Sequence, residues 1–423
     1  MIGPLSSLIN LLHDIYRCIP ENKQLRQDLL QRQGHIDSLN DIVNSKEEKI
    51  EAISQVCVDL KGDNVKSHDE QEYAIARKEF YKGELKKAMQ FIEKAKRHIV
   101  QLRQVNKSFL GQIESLAKLE GKFWESTPGP KLPLFRMRGE NTAEIVAVTN
   151  LKGGVGKTTI TANLAAALWK AGKRVLILDL DYQRTLTNLL LPTLELKQVE
   201  LSQRYVDRLF CNSAISENAV FELAVRVGGS HQGHLISARE ELADVEEHVK
   251  AHWLLNQTET DARFLLRRLL HSPKIQNEFD YILLDCPPRL TLASVNALAC
   301  CDHVLIPVIL DKSSTRAVTR LLRWLRILKK SGVASHLDVL GVIPNQTHFL
   351  AKYTNRERNL LNEFLSECAQ VWPEPVYAFN RFIPRKPAFA KAAETKIPAA
   401  FDPAVRNVFE ELVAEFEGRL APV

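Results

Sequence analysis

The sequence predicts an α/β protein, a mostly parallel sheet with helices on both faces, preceded by an all-α coiled-coil or helical-hairpin region. Three observations predict it. Short apolar runs at 145–149, 174–179, 281–284, 303–308 and 339–343 alternate with helical stretches. Such alternation builds parallel strands with crossover helices and places ligands at the strands' carboxyl ends. The first run stops at a glycine-rich turn and restarts as a helix. Ahead of all of them the chain carries apolar residues at heptad spacing, and no proline occurs between Pro20 and Pro128.

A chain of 423 residues exceeds one compact core, so at least two units are expected. The divisions fall at 1–125 for the helical arm, 126–143 for a proline-rich linker and 144–423 for the α/β unit. The net charge of +6 is a mild excess that matters only where positive residues cluster. Cysteines at 18, 57, 211, 286, 300, 301 and 368 form no Cys-x-x-Cys pair and meet no histidine set at ligand spacing. They read as free thiols of a reducing cytosol, which predicts a cytoplasmic protein without structural zinc. No apolar run approaches the roughly 20 residues of a membrane span, and Asp14 and Arg17 spoil the early residues as a signal peptide.

From Asn22 to Leu60 one heptad series runs Leu29, Ile36, Val43, Ile50 and Cys57, with Leu25, Leu39, Ile53 and Leu60 at the second core position. Arg32 and Lys46 interrupt that second series. After a polar stretch from Lys61 to Glu70, another seam runs through Leu85, Ile92, Ile99, Asn106 and Ile113, with Ala88, Ala95, Leu102, Phe109 and Leu116 beside it. Two seams of similar length around one polar break suggest a helical hairpin, with continuous helices from two chains as the competing arrangement. Nothing in the arm has catalytic character, so it reads as a partner-binding or dimerising element, with a plain spacer as the alternative. Between Ser126 and Pro133 three prolines in quick succession stop the helix and make the linker stiff.

Glycines 153, 154 and 156 let the backbone curl so that successive N–H groups point inward at a phosphate, helped by the positive end of the helix beginning near Thr158. The candidate nucleotide-binding run is Lys152, Gly153, Gly154, Val155, Gly156, Lys157, Thr158 and Thr159. Lys157 is its mobile cation and the Thr158 hydroxyl a ligand for Mg²⁺. The general phosphate-loop pattern asks for glycine where this chain has Leu151, and it does not require Lys152.

That departure carries a resemblance. Lys152-Gly-Gly-Val-Gly-Lys157-Thr-Thr resembles the signature of the deviant Walker ATPases of the ParA/MinD family, which implies a P-loop NTPase fold using ATP and Mg²⁺. In that family the extra lysine reaches across a nucleotide-sandwich homodimer, which implies a catalytic role for Lys152 beside Lys157. Asp179-Leu-Asp181-Tyr-Gln183 resembles the family's Asp-x-Asp-Pro-Gln switch, so Asp181 is the implied group that orients the attacking water and a candidate near the metal. Tyr182 and Arg184 stand where the family has proline and glycine. The apolar strand ending in Asp285, followed by Cys286-Pro287-Pro288, places a carboxylate beside the metal, and Arg289 stands where a small residue is common. The resemblance extends to Gly341-Val-Ile-Pro-Asn345 and to Phe382-Ile-Pro384-Arg385, implying that Asn345 and Pro384 lie near the nucleotide base. It is weakest over 191–278.

A helix from Ser313 to Lys330 carries Arg316, Arg320, Arg323 and Lys330 with no acid, and the first three fall on one face. A one-signed face suits sequence-independent contact with a DNA backbone. The terminal helix around Val408–Glu417 has an acidic polar face, which excludes the basic membrane helix of the MinD branch. The expected protein is therefore an ATP-dependent dimerising switch of the ParA type. In its ATP state it would hold non-specific DNA, which would make it nucleoid-associated, and slow hydrolysis would position plasmid, chromosome or other cargo with a stimulating partner protein. The alternative is a nucleotide-gated assembly switch whose arm recruits or restrains an effector without touching DNA.

Overall fold

The structure is a computed structural model that describes residues 34, 37–38, 40–52, 55, 68–118, 122–129, 133, 135–136, 142–211, 215–227, 233–254, 260–347 and 353–421. The chain divides into two compact units, Met1–Glu120 and Gly121–Val423.

In the first unit, residues 40–52 and α1 (His68–Lys118) are helical. Val43, Ile92 and Ile99 are buried together, Ile50 and Ala95 pack against them, and Lys96 pairs with Glu47 at 2.5 Å. These side chains come from both heptad seams, so the seams meet within one chain over this stretch. The polar break at 61–67, the positions 25–33, 36, 39, 53, 57 and 60, and the side chains at 102, 106, 109, 113 and 116 lie outside the described residues.

The second unit is built on one sheet of β1 (Glu144–Val148), β2 (Val175–Asp179), β3 (Val225–Arg226), β4 (Gly233–Ile236), β5 (Tyr281–Asp285), β6 (His303–Ile309), β7 (Asp338–Thr347) and β8 (Ile383–Pro384). Its order is β3-β4-β2-β5-β1-β6-β7-β8, parallel throughout except for β3 against β4. The period of two along each strand assigns its side chains to two cores. Ile145, Ala147, Leu176, Leu178, Ile282 and Leu284 face one; Val146, Val148, Val175, Ile177 and Leu283 face the other. The second face is covered by α2 (Lys157–Lys170) and, at the chain's end, by a helix over Arg406–Leu420; the first is covered by α3 (Leu242–Leu254), α4 (Leu292–Cys300) and α5 (Lys312–Ser331). A further helix, α6 (Asn355–Val371), lays Phe364 and Cys368 into the first core.

The Arg406–Leu420 helix turns Phe409, Leu412, Val413 and Phe416 inward, while Glu410 and Glu417 pair with Lys170 and Lys173 at 2.6 and 2.9 Å. Its apolar face is therefore core. Among the described residues no helix is long and apolar enough to cross a membrane.

The described linker residues dock on the second unit. Arg136 forks onto Asp302, Nη1 to Oδ1 at 3.0 Å and Nη2 to Oδ2 at 2.6 Å, and both side chains are buried. The Ile145 N–H donates to the same carboxylate at 2.9 Å, which ties the linker to the amino end of β1. Trp124 stacks near Trp253 with ring centroids 6.1 Å apart, and Arg263 donates to the Trp124 and Ser126 carbonyls at 3.0 and 2.6 Å.

His271 belongs to this docking. Its Nδ1 accepts from the Arg136 N–H at 3.1 Å, so Nε2 carries the proton toward the Cys300 carbonyl at 2.7 Å. Burial pushes its pKa from the usual 6.5 down to about 4. Between those values the unfolded chain binds more protons than the native one, so stability rises with pH. The contribution is complete above the unfolded value and is lost as pH falls toward the folded one. It amounts to on the order of 3 kcal/mol. Urea unfolding of wild type and His271→Asn from pH 4.5 to 7 checks this: the variant is expected to lose most of the pH slope, and an unchanged slope would assign it to other groups.

Candidate nucleotide site

Register sets the site. β1 and β2 flank β5, with Val148 and Asp179 both opposite Asp285, so Asp179, Asp285 and the loop after β1 share the carboxyl edge. The loop between β1 and α2 has Gly154 at φ 74° and Gly156 at φ 92°, the left-handed region that favours glycine. At Gly156 a Cβ would stand 2.0 Å from Asn345 Nδ2, which donates instead to the Val155 carbonyl at 2.7 Å. The end of β7 thus buttresses the loop. Gln346, itself at φ 55°, donates to the Gly154 carbonyl at 3.1 Å and accepts from Arg385 at 3.3 Å.

The Thr158 hydroxyl donates to Asp285 Oδ2 at 2.8 Å and the Thr161 hydroxyl to Oδ1 at 3.2 Å. Burial, and then the neighbouring Asp179, push the Asp285 pKa up to about 8. Burial likewise pushes Asp179 up to about 6, although the Thr187 N–H and hydroxyl bond it at 2.8 and 2.7 Å. Buried carboxylates of this kind ionise once a cation supplies the missing charge. A hydroxyl beside a carboxylate is an all-oxygen donor set, which fits Mg²⁺. Lys157 Nζ curls back to the Lys152 carbonyl at 3.2 Å, and burial lowers its pKa against the pull of Asp285 and Asp181. A phosphate would meet both needs of this lysine.

Lys152 points away from its own loop. Its Nζ lies 3.2 Å from both oxygens of Asp311 and 2.9 Å from the Ser314 hydroxyl. Asp311 also caps α5, accepting from the Ser313 and Ser314 N–H groups at 2.9 and 2.8 Å. Burial alone would raise its pKa, but those bonds and Lys152 win and hold it below the usual carboxylate value. The row Arg316, Arg320 and Arg323 is exposed on α5, and with Lys330 it makes no ion pair among the described residues. Lys152, Gly153 and the three arginines line one groove of about 650 Å³, with Glu367 as its acid. Asp181 is half-buried at the end of β2, its Oδ1 accepting from the Gln183 N–H at 3.0 Å.

Comparison with known proteins agrees with this geometry. A family model described as an AAA domain matches residues 143–339. The chromosome partitioning protein ParA of Myxococcus xanthus is 28% identical over 264 residues, 60% of this chain and 83% of that one. The sporulation initiation inhibitor protein Soj of Bacillus subtilis is 30% identical over 275 residues, 64% of this chain and 97% of that one. The chain belongs to the ParA family of P-loop ATPases. Among solved structures, apo McdA of Cyanothece covers 66% of this ParA-like chain and 100% of its own at a TM-score of 0.52 and 21% identity, a likeness of fold. Cobyrinic acid a,c-diamide synthase of Mycobacterium smegmatis, with a bound ATP analogue and magnesium, is 26% identical with a TM-score of 0.50, over 64% of this chain and 93% of that one. This ParA-family protein is accordingly an ATPase, and the Thr158 and Asp285 oxygens are a donor set that fits Mg²⁺.

The fold gathers Lys157, Thr158, Asp181 and Asp285 around one loop and sets Asn345 against its backbone. Pro384 is further off, on β8, paired in register with Thr347. Ile309, Asn345, Thr347 and Arg356 line a cavity of about 220 Å³ beside them. Sequence reasoning missed Gln346 and Asp311, and it placed Asp179 at the strand end without the row it shares with Asp285. Gln346 gives no motif, because its left-handed backbone and its bond to the loop exist only in the fold. Asp311 had a readable signal, since an aspartate followed by Lys-Ser-Ser is a helix cap.

Proposed function

We propose that this ParA-family ATPase is a dimerising switch that binds non-specific DNA in its ATP state and releases it on slow hydrolysis, positioning plasmid, chromosome or other cargo with a partner protein. The observation that carries the reading is the groove in which Lys152 and the exposed row Arg316, Arg320 and Arg323 lie together, joined through Asp311 at the α5 cap. Moving Lys152 toward a partner's phosphate would free Asp311 at the head of the arginine helix. In this reading Gly153–Thr159 hold the phosphates, Thr158 and Asp285 hold Mg²⁺, which supplies charge neutralisation at the γ-phosphate, and Asp181 holds the attacking water. Asn345 shapes the loop, and the cavity beside it takes the base, with Pro384 paired to Thr347 of its lining.

The test is binding of a random-sequence duplex with ADP and with ATP across a salt series. Binding should need ATP, fall with salt, and be lost in Arg320→Glu while ATP affinity stays within about twofold. Absence of DNA binding in every state would sink the reading. One observation favours the alternative of an assembly switch: α1 exposes Ile75, Phe80 and Met89 at 64%, 66% and 57%. Under that alternative, deletion of 1–120, which leaves Trp124 in the second unit, removes a protein partner and DNA is ignored in all states.

A further inference from the structure

Tyr182 and Arg289 are two departures from the family pattern, 107 residues apart, and the fold brings them together. Arg289 Nη2 donates to the Tyr182 hydroxyl, and the guanidinium carbon lies 5.5 Å from the ring centroid. Each partner stands on a loop that carries a site carboxylate. Tyr182 follows Asp181, whose carbonyl accepts from the Arg184 N–H at 2.9 Å. Arg289 lies just beyond Asp285, and its carbonyl accepts from the Ser294 hydroxyl at 2.6 Å and the Thr291 N–H at 3.2 Å. A third departure sits on the same loop: Arg184 adopts φ 57°, a conformation suited to the family's glycine, and reaches Glu200 at 3.5 Å.

We propose that Tyr182 and Arg289 form a clasp joining the loops of Asp181 and Asp285, and that it holds Asp181 in place for hydrolysis. Proline would fix its own φ near about −65° whatever surrounded it. Tyrosine leaves that torsion free, and beside the local turn bonds of Asp181 the contact with Arg289, on the loop after the adjacent strand β5, restores the order. The anchored backbone of Arg289 makes it a rigid support. Both are positioning residues, and the proposal rests on the reading of Asp181 as the group that holds the water.

The experiment measures single-turnover ATP hydrolysis and ATP affinity in the full chain for Tyr182→Phe, Arg289→Ala, Arg289→Lys, the Phe/Ala double variant and Asp181→Ala. Tyr182→Phe and Arg289→Ala should each slow hydrolysis by about threefold to tenfold with affinity unchanged. The double variant should be no slower than the slower single, because both remove one bond, and Arg289→Lys should recover part of the rate. Losses that multiply in the double variant, a rate that rises, or full rate in the single variants beside a silent Asp181→Ala would overturn the clasp. Full rate in Asp181→Ala would instead overturn the reading of Asp181, while the coupling between Tyr182 and Arg289 stays measurable.

Discussion

Asp181→Ala is expected to keep ATP and Mg²⁺ bound while hydrolysis falls by about a hundredfold or more, the usual loss when a group that orients a water or takes its proton is removed. The proposed binding groups stay intact, because the bonds of Lys157 and of the Thr158–Asp285 pair do not involve the Asp181 side chain. The only hydrogen bond shown to its carboxylate among the described residues is the one from Gln183 within its own turn. Asp285→Ala should behave differently, weakening Mg²⁺·ATP binding itself, since that carboxylate sits on the Thr158 hydroxyl. A fluorescent ATP analogue gives affinity and a phosphate-release assay gives turnover. Equal losses of both in Asp181→Ala would make Asp181 a metal-holding group.

Asp302→Ala should destabilise the ATPase unit by about 3–5 kcal/mol, the usual result of stranding one partner of a buried ion pair. Arg136 and Asp302 are 4% and 1% exposed, so without the carboxylate the guanidinium has no solvent to turn to. The Ile145 N–H at the start of the central strand would lose its acceptor as well. Replacing both partners with apolar residues of similar volume, Arg136→Met with Asp302→Leu, should recover much of the loss, because no buried charge is then left unpaired. Denaturant midpoints of the two variants against wild type decide it. An unfolding free energy for Asp302→Ala within about 0.5 kcal/mol of wild type would show that the linker does not hold to the amino edge of the sheet as described.

The five strands expected from apolar runs are found as β1, β2, β5, β6 and β7, with ends shifted by four residues at most, because a buried parallel strand has to be apolar on both faces and its sequence says so. β4 was not read from the sequence. It spans only Gly233–Ile236 and includes half-buried His234, so it offers neither a long run nor alternation. What makes it a strand is the neighbouring β2, and Gly233 permits the approach, since a Cβ there would stand 2.6 Å from the Trp169 ring.

The site divides in the same way. The phosphate loop could be read from residue order, because a glycine turn between strand and helix is a local device. Its support could not: Asn345 and Gln346 reach the loop across nearly two hundred residues, and one of them does so from a left-handed backbone. The stiff linker read from its prolines is also tied into the second unit through Arg136 and through the Ser126 carbonyl on Arg263, and Trp124, at the end of the expected arm, packs there too, which sequence spacing cannot reveal.

By itself the sequence determined the α/β class, the nucleotide-binding turn and the carboxylates at the strand ends, because each is set by neighbours along the chain: periodicity, glycine freedom, a strand running into a turn. Only the tertiary structure decided where Lys152 points, that its anchor caps the arginine helix, that Asp179 and Asp285 share one row of the sheet, and that Tyr182 meets Arg289. Those are contacts between segments far apart in sequence, and they are fixed by strand order and register, which no local pattern encodes.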